Sequence, residues 1–187
     1  MIKTRKDLSF YLEKDRQRNN ISSFWGVIIG LFTRNEHVCV YRYLICLRHC
    51  EYHMNNSTNL LHKVLYFFYK AELSRLGGKY NIRIKPNTCG YGLRIPHLAG
   101  GGGVLLNIEK AGNYCGFQSG VLLGNKDNQL DRPIIGSNVA FGPGAKCFGR
   151  IKIGDNVFVA ANAVVTHDVP DNCIVGGIPA HIIKRLE

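Results

Sequence analysis

At 187 residues, with 45% hydrophobic and 20% charged side chains, the chain has enough apolar material to fill a core, which excludes a wholly disordered protein. Its longest uninterrupted apolar run, Phe24 to Phe32, is nine residues against the ~20 that a membrane-spanning helix needs, so a transmembrane segment is not expected. The net charge of +11 is uneven: residues 1–90 carry a balance of +9 and residues 91–187 only +2.

The first 78 residues read as helices, and they form the first expected unit, 1–78. Thr4 with Asp7 three residues on has the form of a capping box, followed by Leu8, Tyr11 and Leu12 at helical spacing. Ser22 and Ser23 precede the short apolar segment Phe24 to Phe32. A longer helical pattern runs from Asn35 through Val38, Tyr41, Leu44, Ile45 and Arg48 to about Met54. A last helix, from about Leu60, carries Leu61, Val64, Leu65, Phe68 and Leu73 and is expected to close at Gly77 and Gly78 as C-cap residues.

From Asn81 onward glycines become frequent and helical spacing vanishes. A period of six takes its place: Leu105, Ala111, Phe117, Leu123, Ile135, Phe141, Cys147, Ile153, Val159 and Val165 are all apolar. Four residues after each repeat start stand Cys115, Val121, Val139, Ala145, Ile151, Val157 and Ala163, with Glu109 as the exception. Such hexads fit a short flat strand followed by a sharp corner, so that three of them close one triangular coil with the first residue of each pointing inward. The second unit, 79–187, is therefore expected to be a parallel β-solenoid. The polar stretch Gly124 to Pro133 keeps the register but lacks an inward apolar residue at Gln129, and should loop out of the coil.

No Cys-x-x-Cys pair occurs among Cys39, Cys46, Cys50, Cys89, Cys115, Cys147 and Cys173, which reads as free, buried thiols in a reducing compartment and as no metal site. The first twenty residues are rich in charge and have no apolar core of a leader, so a cytoplasmic protein is expected. The basic first half contains no recognition helix, zinc finger or base-stacking motif, which argues against nucleic acid and leaves attraction for anionic substrates or peripheral contact with a membrane surface.

The hexads from Ile135 to Val165, the stretch Ala161-Asn162-Ala163-Val164-Val165, Asp168-Val169-Pro170 and the closing Gly177-Ile178-Pro179-Ala180 together resemble the left-handed β-helix (hexapeptide-repeat) acyltransferases. Among these the chain is most similar to the serine acetyltransferase-like branch, including members associated with capsular polysaccharide synthesis. The resemblance implies acetyl transfer from acetyl-CoA to a hydroxyl, without a metal, in a homotrimer whose sites lie between subunits. It places His97, in Leu93-Arg94-Ile95-Pro96-His97, at the position of the family's catalytic histidine. A base titrating near neutral pH is what a hydroxyl nucleophile needs, and His97 alone among the seven histidines precedes a glycine run, Gly100 to Gly103. A zinc enzyme using His97, His167 and His181 does not fit, since their spacing matches no known ligand pattern. A non-catalytic scaffold would fail to bind acetyl-CoA.

For coenzyme A, the small residues Gly142, Pro143, Gly144, Ala160 and Ala161 are expected to leave room for the pantetheine arm, and Lys146, Lys184 and Arg185 to meet the phosphates. Three departures separate this chain from the family's serine site. Arg83, in Arg83-Ile84-Lys85-Pro86, stands where an Asp would orient the histidine; Pro96 replaces an Asp that helps hold serine; and Asp131-Arg132-Pro133 replaces Arg-His-Pro. The expected acceptor is therefore a saccharide, met by Arg83, Asn125, Asp127, Asp131 and Arg132, with L-serine as the alternative.

Overall fold

The computed structural model describes residues 1–21, 33, 35–98, 102–128 and 130–187. The apolar segment Phe24 to Phe32, with Ser22 and Ser23, lies outside these residues, as do Gly100, Gly101 and Gln129.

Three helices lead the described chain: α1 (Arg5–Arg18), α2 (Glu36–Asn55) and α3 (Leu60–Tyr80). Helix α1 opens on the capping box read from sequence: Thr4 Oγ1 accepts from the Asp7 amide at 3.0 Å, and the Asp7 carboxylate accepts from the Thr4 amide at 2.9 Å. Those backbone hydrogen bonds hold the Asp7 carboxyl below its usual range. Helix α2 buries Val38, Tyr41, Leu44 and Arg48. Helix α3 departs from the expectation. It runs through Gly77 and Gly78 to Tyr80, and its cap is Asn81 in the left-handed region at φ 55°. Gly77 is required for packing instead, since a Cβ there would lie 2.7 Å from the Ile82 carbonyl oxygen. Leu61, Val64 and Phe68, read as part of a core pattern, face solvent, and Leu73 and Leu76 carry the burial.

Strands follow in rotation through three sheets. Sheet I contains β1 (Ile82–Ile84), β2 (Val104–Leu106), β5 (Leu122–Gly124), β8 (Lys146–Phe148) and β11 (Val164–Val165). Sheet II contains β3 (Lys110–Ala111), β6 (Ile134–Ile135) and β9 (Lys152–Ile153). Sheet III contains β4 (Gly116–Phe117), β7 (Ala140–Phe141), β10 (Val157–Val159), β12 (Cys173–Gly176) and the antiparallel β13 (His181–Arg185). All other strand pairs are parallel, and the chain visits sheets I, II and III in turn. Ala140 pairs with Phe158 and Lys146 with Val164, a spacing of 18 residues, or three hexads per coil. Lys110 pairs with Ile134 and Gly116 with Ala140, a spacing of 24, so one coil holds six extra residues, between β5 and β6. This is where Gly124 to Pro133 leaves the repeat.

Nine of the ten hexad starts point inward: Ala111, Phe117, Leu123, Ile135, Phe141, Cys147, Ile153, Val159 and Val165 are buried. Leu105 is the exception. Its neighbours Val104 and Leu106 are buried instead, and Ile108 takes the place expected at Glu109, so the period slips by one residue before Ala111. Phe117 and Phe141 stack inside with ring centroids 5.4 Å apart. At the turns from sheet II to sheet III, Asn138, Asn156 and Asn172 adopt φ near 55° and bond to one another, Asn138 Nδ2 to Asn156 Oδ1 at 3.0 Å and Asn156 Nδ2 to Asn172 Oδ1 at 2.9 Å. All seven cysteines are free and buried, and burial pushes the Cys147 thiol up to about 12.

One core runs from Val40 in α2 through Leu76 in α3 to Val175 in the last coil. A buried ionic cluster joins the helices to the first coil. Arg48, with no exposed surface, donates to Asp15 of α1 at 2.8 Å, to Glu51 at 3.0 Å and to the Cys89 and Gly90 carbonyls at 2.9 and 2.6 Å. The carboxylates spend their other oxygens on the chain that follows: Glu51 accepts from the Asn87 amide at 2.8 Å and Asp15 from the Leu93 amide at 2.9 Å. Removing one member of such a cluster strands the others, a cost of about 3–5 kcal/mol. Arg48→Met should lower the unfolding free energy by that amount in a urea titration followed by circular dichroism; a loss under about 1 kcal/mol would remove the cluster from the account.

Candidate active site

His97 lies on the turn from sheet III to sheet I in the first coil, between the Arg94–Gly116 bridge and β2. Its imidazole is exposed, and Nδ1 stands 3.0 Å from Glu36 Oε1. Glu36 is the first residue of α2, and its second oxygen accepts from the Leu98 amide at 3.2 Å. A carboxylate only accepts, so in the neutral imidazole the proton of that contact sits on Nδ1 and Nε2 keeps its lone pair. Where the resemblance expects an orienting Asp this chain has Arg83, and a carboxylate from 61 residues upstream contacts His97. No local spacing could have found it.

The same turn, repeated in later coils, holds Ser119–Val121, Gly142–Ala145 and Ala160–Ala163, stacked directly. The Gly120 amide donates to the Gly102 and Gly103 carbonyls at 3.0 and 2.9 Å, Gly144 to the Ser119 carbonyl at 2.9 Å, and Asn162 to the Pro143 carbonyl at 2.8 Å. Hence the residues expected to line coenzyme A, Gly142, Pro143, Gly144, Ala160 and Ala161, share one edge of the prism with His97. The reason for the glycines differs from the one expected. A Cβ on Gly142 would lie 2.7 Å from the Ala161 nitrogen, and Gly144 sits at φ +71°, so the stacking of coils demands them. Of these five residues Pro143 and Ala161 are the exposed ones. Lys146 belongs to this edge as well, with Nζ donating to the Gly144 carbonyl at 3.0 Å.

Lys184 and Arg185 do not reach this edge. They pair with Ile174 and Cys173, at the far end of β12 from the corner near Ala160. The polar loop is also elsewhere: it occupies the turn from sheet I to sheet II, across the width of sheet I from His97. Its side chains are tied to their own chain, with Arg132 bonded to Glu109 at 2.9 Å, Asn125 accepting from Asn107 at 2.9 Å and Asp131 accepting from Asn128 at 2.7 Å. A single chain therefore does not bring Asn125, Asp127, Asp131 and Arg132 to His97. Arg83 is exposed on the outer face of β1, in register with Leu105. No group of three or more His, Cys, Asp or Glu suited to a metal occurs among the described residues, and none of the described helices is long and apolar enough to cross a membrane.

No protein-family model matches the chain. It is 40% identical over 118 residues to a serine acetyltransferase of Synechococcus elongatus, which covers 62% of this chain and 47% of that protein. The chain spans about half the length of the curated relatives it matches. Among solved structures it is similar to the serine acetyltransferase of Brucella abortus, with a TM-score of 0.72 and 25% identity over 97% of this chain and 70% of that one; the same protein has been solved with coenzyme A. The serine acetyltransferase of Neisseria gonorrhoeae in complex with serine gives a TM-score of 0.66 and 26% identity over 96% of this chain and 70% of that one. These likenesses support the serine acetyltransferase side of the sequence reading, and none of them is to a capsular polysaccharide enzyme.

Glu36→Gln keeps the shape of the contact and removes its charge. If Glu36 positions His97, the variant should lose turnover by about 10-fold or more while its melting temperature and its affinity for acetyl-CoA stay unchanged. Turnover equal to the parent would show that the contact is incidental.

Proposed function

We propose that the chain is an acetyl-CoA-dependent O-acetyltransferase with His97 as general base. The observation that carries this reading is the His97–Glu36 pair, which turns Nδ1 to the carboxylate on the edge that also carries Pro143, Gly144, Lys146 and Ala161. The acceptor hydroxyl gives its proton to Nε2 as its oxygen attacks the thioester carbonyl. The carbon–sulfur bond then breaks, and the thiolate leaves with the proton that His97 returns, so that an ester and a free thiol form. The family's left-handed coil and its homotrimer belong to the same proposal. A trimer has a physical motive here: His97 and the polar loop lie on different edges of one prism, and a neighbouring copy is what could bring a loop to a histidine.

For the acceptor, the named relatives back L-serine ahead of a saccharide. The saccharide is retained as a second reading on one specific observation: where the resemblance would have an Asp help hold serine stands Pro96, and the groove on the outer face of sheet I carries Lys70, Arg83 and Lys85. Leaving a charged end of a zwitterion without its partner costs about 1–3 kcal/mol per group, which a serine site built this way would have to absorb.

The test is thiol release from acetyl-CoA in the presence of L-serine, nucleotide-linked sugars or oligosaccharides, for the parent and His97→Ala. Acceptor-dependent release that falls by about 10² to 10⁴ in His97→Ala, with acetyl-CoA affinity intact, is the expected result. No acceptor-dependent release, or release indifferent to His97, would overturn the proposal. Efficient serine turnover would settle the acceptor as serine.

A further inference from the structure

Helix α3 does not lie flat on the coil. Between it and the outer face of sheet I runs a groove of about 900 Å³, at the upper end of the size at which proteins enclose whole organic ligands. Its floor is the outward row Arg83, Leu105 and Leu122, and its wall includes Tyr66, Lys70 and Leu73 of α3. Gly102, Gly103 and Gly120 form part of its lining, on the edge that carries His97, and Lys85 and Pro86 lie where β1 turns toward sheet II. Another concavity, of about 690 Å³, lies on sheet II, the face opposite that edge.

Among the described residues the groove is lined by Lys70, Arg83 and Lys85 and by no carboxylate. Among the described residues Arg83 and Lys85 have no acidic partner, and the Lys70 ammonium lies 5.5 Å from the centre of the Tyr66 ring. Several arginines elsewhere have an acidic partner: Arg16 pairs with Glu13, Arg75 and Arg42 with Glu72, and Arg132 with Glu109. Three cations left unneutralised over an apolar floor make a receptor for an anion attached to a larger body. A guanidinium presents two parallel N–H donors to a phosphate, a lysine adds a point charge, and the Tyr66 face suits a flat ring or the apolar face of a sugar.

We propose that this groove binds the phosphate-ester part of a saccharide acceptor and directs a sugar hydroxyl toward His97. The inference rests on the acetyl-transfer reading in its saccharide form. Arg83 is then no mere loss of an orienting carboxylate. It supplies a phosphate-binding group to a groove that reaches Gly102, Gly103 and Gly120, on the turn of the chain that also holds His97.

The test uses the full chain and two probes that share the phosphate ester, glucose 1-phosphate and UDP-glucose, with methyl glucoside and L-serine as controls, titrated by calorimetry. The expected result is saturable binding of one or both phosphate esters, weaker binding of the controls, and at least about a tenfold loss in the doubly substituted Arg83→Ala, Lys85→Ala chain with acetyl-CoA affinity unchanged. Binding of glucose 1-phosphate alone points to a sugar phosphate, and preference for UDP-glucose to a nucleotide-linked sugar. Both residues are exposed, and an unchanged melting temperature checks that the variant is folded. The proposal is overturned if the parent binds neither ester, if the double variant binds them equally, or if its acetyl-CoA affinity falls in step, which would assign the groove to the co-substrate. Failure of the two readings is distinguishable: Arg83-dependent ester binding without any acetyl transfer sinks the transferase reading and leaves the groove standing. Saccharide acetylation with an unaltered KM in the double variant does the reverse.

Discussion

A guanidinium sealed from water sits where the helices meet the first coil, and the placement of the candidate site depends on it. An unpaired charge there would be prohibitively costly, so Arg48 is tolerable only while Asp15, Glu51 and the Cys89 and Gly90 carbonyls surround it. Burial works against the charged form, and the two carboxylates outweigh it, so the net effect is to hold Arg48 more firmly protonated. Because the same carboxylates accept from Asn87 and Leu93, α1, α2 and the segment 87–93 are locked into one relation. That segment ends four residues before His97, and α2 begins at the residue that holds His97. The ionic cluster and the His97–Glu36 contact therefore tie both ends of α2 to the same stretch of chain.

This division explains what could be read from the sequence. A coil of short strands repeats its demands every six residues, so Phe141, Ile153 and Val159 announce themselves as inward-facing. Leu105 failed because the inward residue of its strand, Leu106, stands five residues before Ala111 instead of six, and periodicity cannot see a slip at the end of a repeat. Gly77 and Gly78 resembled a cap, but the helix continues to where Asn81 takes the left-handed turn. Leu61, Val64 and Phe68 have the composition of a core face without lying on one. The links made by Arg48 and Glu36 join residues far apart in sequence, and no local spacing encodes such pairs.

The candidate site was legible to a similar degree and for the same reason. The edge residues Gly142, Pro143, Gly144, Ala160 and Ala161 belong to the repeat, and the repeat brings them onto the edge of His97. Lys184 and Arg185 follow the last coil on an antiparallel strand, which carries them away from that edge. Asn125, Asp127, Asp131 and Arg132 sit on an inserted loop at another corner. Across the named relatives the likeness favours serine; the saccharide has its claim through Arg83, Lys85 and Lys70 in the groove between α3 and sheet I. Those two lines of argument meet in a single question, which is what charge the acceptor carries.

The account turns on one edge of the prism being the place of reaction. Its most direct test is a crystal structure of the chain grown with coenzyme A. The account predicts the pantetheine arm along the edge of Pro143, Gly144 and Ala161, with the thiol sulfur ending beside the His97 imidazole of the same or a neighbouring copy. Coenzyme A seated on another corner, or on the face of sheet II, with its sulfur remote from every His97, would contradict it.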